Sequence, residues 1–178
     1  MTRFPSGFAF LATAALASLL AMTPAQAQPS AHEEVARLLR TDQAAEALRR
    51  AETLLATRPD DAQLRFFKGV AQSRNGQSEA ALATFGALTQ DYPELPEPYN
   101  NLAVLHAAAG RLEPARAALE TALRLSPGYA TAHQNLGDVY ARLAAKAWTR
   151  ALELDQANPA LRPRLQILQQ LPTEAAAL

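Results

Sequence analysis

Cysteine is absent from this 178-residue chain, tryptophan occurs once and aromatic residues make up only 6% of it. Without thiols there are no disulfides, no thiolate nucleophile and no sulfur ligand for zinc, so packing alone holds the fold. A surplus of either charge is missing too: 17 Lys and Arg stand against 17 Asp and Glu. A near-neutral chain lacks the basic field that nucleic acid or an acidic membrane surface requires. The sequence also contains no Gly-x-Ser-x-Gly, no phosphate-cradling glycine-rich loop and no His-Glu-x-x-His. Its three histidines, His32, His106 and His133, have no evident further ligands beside them. The expectation is a protein with no catalytic residues, no metal and no cofactor, hence not an enzyme.

Arg3 precedes an apolar stretch, Phe8 to Met22, broken only by Thr13 and Ser18. Thr23-Pro24-Ala25-Gln26-Ala27 follows, ending in Ala-x-Ala. A positive start, a short apolar run and a small-residue end predict a secretory signal peptide over 1–27, cleaved after Ala27. The run is about fifteen residues, short of the ~20 that span a bilayer. No cysteine follows to carry a lipid. The bacterial style of the signal makes the periplasm the expected address, with no membrane anchor after cleavage. The chain from Gln28 onward then carries 16 Lys and Arg, Arg3 being lost, against 17 Asp and Glu.

Most apolar residues are Ala and Leu, which head the helix-propensity ranking, and an all-α fold is expected. A repeat is written into the chain. Pro59, Pro93 and Pro127 lie 34 apart, as do Gly69, Ala103 and Gly137, with Val35 extending that series backward. Ala47, Ala81 and Ala115 form a third series, and Leu54, Leu88 and Ala122 a fourth. Small residues at Gly69, Ala103 and Gly137 and at Ala47, Ala81 and Ala115 let two helices approach closely. Gly76 and Gly110 supply the backbone freedom that ends a helix, and Ser78 is expected to cap the next one. Leu112, Ala115, Leu119 and Ala122 share one helical face. Each unit is therefore a helix–turn–helix.

The pattern resembles the tetratricopeptide repeat family. Tyr99, Leu102, Ala103 and His106 occupy the family's first-helix places in one unit, and His133, Leu136, Gly137 and Tyr140 in the next. Ala81, Phe85 and Pro93 match its second-helix places. The resemblance implies an α-solenoid with units at 28–61, 62–95, 96–129 and an altered fourth at 130–155. The first unit has Asp42 where the turn glycine belongs. In the fourth, Ala151-Leu-Glu-Leu-Asp155 looks like a unit's end but arrives five residues early, and no breaker separates Leu143 from Trp148. One continuous helix from about Ala130 to Asp155 is predicted there. Leu161, Leu165, Leu168 and Leu171 form a stripe on a final helix within 156–172, read as a cap over the last repeat or else as a detachable partner-binding element. Residues 173–178 are expected to be a tail.

The resemblance further implies that first helices line a concave groove. The expected partner-binding residues are Phe66, Val70 and Arg74, then Asn100, Asn101 and Val104, then Gln134, Asp138 and Arg142. Asparagines there can hydrogen-bond an extended peptide. A chaperone-type carboxylate clamp does not fit: units two to four offer Phe66, Val70, Asn101, Thr131 and Asn135, and only Asn101 is of the right kind. A periplasmic adaptor holding a protein or peptide during envelope assembly is the leading expectation. The alternatives are a self-assembling structural protein, with a homo-oligomer possible, or a non-catalytic accessory subunit of a cell-wall enzyme system.

Overall fold

Three turns set the architecture. Asp42, Gly76 and Gly110 lie 34 apart and all take positive φ, at 56°, 74° and 74°. At each, the next residue's N–H closes back on a carbonyl five residues earlier: Gln43 to Leu38, Gln77 to Gln72, Arg111 to His106, all at 2.9 Å. This left-handed closure ends one helix and starts the next. The computed structural model describes residues 30–156 and 158–169. Among them are eight helices: α1 Ala31–Arg40, α2 Ala44–Leu55, α3 Ala62–Arg74, α4 Ser78–Asp91, α5 Pro96–Ala108, α6 Leu112–Leu125, α7 Ala130–Leu154 and α8 Leu161–Gln169.

The turn chemistry corrects one expectation. Ser78 is the first residue of α4, and the capping position belongs to Gln77, whose side chain makes no cap bond. Gln43 and Arg111 precede α2 and α6 in the same way. The reason is economy of residues: one backbone N–H closes the preceding helix while its owner opens the next. Side-chain caps appear at the start of the first two units, whereas Leu95 and Tyr129, before α5 and α7, make none. Ser30 and Glu33 form a reciprocal capping box on α1, and Asp61 accepts from Leu64 N–H at the start of α3.

α1, α3, α5 and α7 contact one another in succession and form one layer; α2, α4 and α6 pack against them as the other. The seam between layers is lined by small residues. Ala47, Ala81 and Ala115 are fully buried, as are Phe85, Leu88, Leu119 and Ala122. Gly69 meets the Phe85 ring so closely that a Cβ placed on it would lie 2.7 Å from Phe85 Cε1. One core cluster joins α1 to α4 with Leu105, and a second joins α5 to α7.

α7 is a single helix of 25 residues. The left-handed position recurs every 34 residues, and its fourth instance falls on Ala144. Alanine reaches that conformation only at a cost of roughly 1–2 kcal/mol, so the helix runs on. Ala132, Leu136, Val139 and Leu143 pack toward α6. Beyond them α8 folds back on α7, with Leu161 buried and Arg164 over the Trp148 ring at 5.8 Å. Leu165 and Leu168 are half-buried, as a capping helix requires. The expected signal peptide, Leu171 and the tail lie outside the described residues. No helix among those described is long and apolar enough to cross a membrane.

Two measurements check these packing arguments. Gly69→Ala is expected to destabilise the chain by about 1–3 kcal/mol in urea unfolding, because the Phe85 ring must move. Phe85→Leu in the same chain is expected to relieve part of that loss.

Asp61 also faces His32, whose Nε2 lies 2.9 Å from Oδ2, and Arg58 at 3.9 Å. Burial pushes its carboxyl up, but the Leu64 N–H bond, the His32 contacts and Arg58 outweigh this and hold it below the ordinary aspartate value. A depressed carboxyl stabilises fully above its unfolded pKa and loses that stabilisation as pH falls through the folded value. Asp61→Ala should cost about 1 kcal/mol at neutral pH through the lost cap. Asp61→Asn should keep the cap and flatten the acid-side fall of stability between about pH 5 and pH 2.

Candidate protein-binding groove

The layer formed by α1, α3, α5 and α7 carries all nine expected partner-binding residues, and it treats them unequally. Phe66 is half-buried with its ring turned into the core, 5.7 Å from Phe85 and 6.3 Å from Phe67 between centroids. Val70 is buried in the same cluster. Arg74 donates from Nη1 to the Leu39 carbonyl at 2.6 Å and so ties the end of α3 to the end of α1. A shallow hollow lined by Asp42, Glu46, Arg49, Arg74 and Asn75 lies beside that bond.

Asn100 and Asn101 are 6% and 5% exposed. Asn101 Nδ2 donates to the Glu97 carbonyl one turn back, at 2.8 Å. Asn100 Oδ1 accepts from Asn135 Nδ2 at 2.9 Å, a buried amide pair joining α5 to α7. Asn135 Oδ1 is sealed from solvent with no hydrogen-bond partner. Sequence reasoning placed Asn100 among solvent-reachable positions and gave Asn135 no role.

Of the expected residues, Arg74 on α3 and the α7 set are exposed. Gln134, Asp138 and Arg142 repeat every four residues along α7 and are all exposed; Thr131 and Ala108 are exposed and Val104 is half-buried. The stripe offers an amide, an anion and a cation in line on α7, and Val104 and Ala108 add small apolar side chains on α5. This is surface suited to an extended chain: polar groups for its backbone and shallow room for its side chains.

The histidines take separate structural places. His32 pairs with Asp61. His133 is exposed and places Nε2 2.9 Å from the Pro127 carbonyl. His106 Nδ1 accepts from Arg111 Nε at 3.0 Å. Burial pushes the His106 imidazole down and Arg111 adds to it, which keeps the ring neutral and able to accept. Among the described residues no three His, Cys, Asp or Glu side chains are grouped to hold a metal ion.

The paired helices, the 34-residue turns and the shared inner layer define a helical solenoid of the protein-binding kind. Two family descriptions match the chain, "Tetratricopeptide repeat" over residues 32–96 and "TPR repeat" over 105–143. The chain belongs to the tetratricopeptide repeat family. Among curated proteins it is similar to the chloroplastic tetratricopeptide repeat domain-containing protein PYG7 of Arabidopsis thaliana. That match is 37% identical over 83 residues, covering 44% of this chain and 28% of the relative. It is also similar to the TPR repeat-containing thioredoxin TTL4 of the same plant, 41% identical over 70 residues, covering 39% of this chain and 10% of the relative. The chain thus spans 28% and 10% of the length of these relatives.

Among solved structures it resembles TTC0263, a thermophilic TPR protein of Thermus thermophilus, with 25% identity and a TM-score of 0.61. The likeness covers 78% of this chain and 79% of that one. MamA of Desulfovibrio magneticus shares the fold at 22% identity and a TM-score of 0.57, over 73% and 76% of the two chains.

The buried amide pair gives a direct test of the groove floor. Asn100→Ala leaves Asn135 Nδ2 without its acceptor, and the expected loss is about 1–3 kcal/mol in urea unfolding. The Asn100→Ala, Asn135→Ala double variant is expected to lose less than the sum of the two single variants.

Proposed function

We propose that the chain is an exported, periplasmic scaffold that holds an extended segment of a partner protein along α5 and α7 during assembly of the cell envelope. That it is a protein-interaction scaffold follows from its family; the address and the process are our reading. The observation that carries the groove is the exposed stripe of Gln134, Asp138 and Arg142 on α7, with Val104 on α5. Phe66, Val70, Asn100 and Asn101 would shape the floor beneath it, and Arg74 would brace the adjoining end. The residues before Gln28, with their Arg3, apolar run and Ala-x-Ala end, support export.

A cross-linked pull-down from periplasmic extract tests both parts. The bait is the chain as its own cells process it, run beside a Val104→Arg, Asp138→Arg variant. Substitutions outside the core usually change stability by less than about 0.5 kcal/mol, so matched melting is expected. The bait's N-terminus should be Gln28, and a partner captured by the native chain should fall at least tenfold on the variant. An intact Met1 would overturn export. A partner retained undiminished by the variant would move the site off this stripe.

A further inference from the structure

Gly137 sits in the middle of α7, exposed, with nothing within 4 Å of where its Cβ would be. Its counterpart Gly69 is a glycine because the Phe85 ring of the next helix presses against it. Inside a helix, glycine costs about 1 kcal/mol relative to alanine, and nothing within this chain accounts for that cost at Gly137. One turn on, Tyr140 is 48% exposed. Its counterpart Gln72 is buried and accepts from Thr84 of the neighbouring second helix at 2.7 Å. α7 therefore presents a first-helix face whose second helix is missing.

The missing helix is written in the same chain. Second helices carry a buried signature spaced by four and then three: Ala81, Phe85, Leu88 in one unit and Ala115, Leu119, Ala122 in the next, all fully buried. Ala144, Trp148 and Ala151 repeat that spacing, yet all three are only half-buried. They follow Gly137 on one straight helix. Trp148 stands eleven residues beyond Gly137, or about 16 Å along the axis, and cannot fold back onto it.

We propose that a second copy of the chain supplies the missing helix: two α7 helices pair antiparallel, and the C-terminal half of each serves as the second helix of the other's fourth unit. Setting Trp148 of one copy over Gly137 of its partner sets the reciprocal pair automatically. The contact is then isologous and closed, with its twofold axis near residue 142, the middle of α7. On α7 itself the face from His133 through Gly137, Tyr140, Ala141, Ala144 and Trp148 bears no Asp, Glu, Lys or Arg; Glu120 of α6 reaches it at the Tyr140 hydroxyl, 3.4 Å away, and Arg164 of α8 at the Trp148 ring. The interface continues the layer seam already built between α1 and α2, α3 and α4, and α5 and α6. Trp and Tyr bury about 150–250 Å² each in all; with Tyr140 48% exposed and Trp148 already half-buried by its own chain, these residues of both copies have at most about 400 Å² left to bury. A pair of standard size, roughly 1,200–2,000 Å², therefore draws most of its area from the alanine face and the flanking helices. Arg164 lies over the Trp148 ring within one copy.

Sedimentation equilibrium of the cell-processed chain across a concentration series tests this. The native chain should sediment as a dimer. Gly137→Arg, at a position exposed within one copy, should keep its helical signal and weaken dimerisation at least tenfold. Inserting a five-residue glycine-containing turn after Ala141 should restore the hairpin and give a monomer. Because the chain has no cysteine, Ala141→Cys and Ala144→Cys, near the axis, should each form an intermolecular disulfide on oxidation. Thr131→Cys should not, since its two copies would stand about 33 Å apart along the axes. A native chain that is monomeric at every concentration overturns the proposal. So does a dimer that Gly137→Arg leaves unchanged and that neither central cysteine cross-links; the occupant of the face is then α8 or a different protein.

Discussion

Everything in this fold depends on how closely the two layers of helices approach. The seam sets alanine and glycine against larger side chains: at one place 34 residues apart the three units carry Ala51, Phe85 and Leu119, all fully buried. Ala47, Ala81 and Ala115 are buried without remainder because the opposing helix backbone lies against them. Where Phe85 fills the seam, Gly69 empties it. This complementarity fixes the register of each hairpin and, through the shared inner layer, the position of the next unit. A chain with no disulfides and few aromatics can afford it because tight backbone approach recovers dispersion contacts that larger side chains would otherwise supply.

Close approach also explains why the turns are so uniform. Each hairpin must reverse within a few residues, and a single residue at positive φ does so while satisfying the last carbonyls of the helix it ends. Asp42 performs the task without being glycine, consistent with the tolerance of Asp for that conformation. Ala144 does not perform it, and α7 stays straight. An alanine at the turn position, together with the five residues the fourth unit lacks, separates a fourth hairpin from a long helix.

The groove inherits its character from the same packing. Inner-layer positions near the first two units are drawn into the core, as Val70 and the Phe66 ring show, or bound to a helix end, as Arg74 shows. On α7 the polar side chains of Gln134, Asp138 and Arg142 reach solvent in a row. The relatives found by comparison span many contexts with the same repeat, which is what a fold that separates scaffold from specificity allows.

The sequence by itself determined the repeat, its period, its helical character, the missing fourth turn and the final capping helix. These rest on local chemistry: propensity, the need for positive φ, and small residues at fixed spacing, each legible one position at a time. Which polar residues remain free was decided only by tertiary structure. Asn100 and Gln134 occupy the same place in successive units, yet one is buried against Asn135 and the other exposed. The difference comes from the neighbouring helix, α7 covering Asn100, with none among the described residues burying Gln134. Burial is a property of what lies across the gap, and spacing along one chain does not contain it.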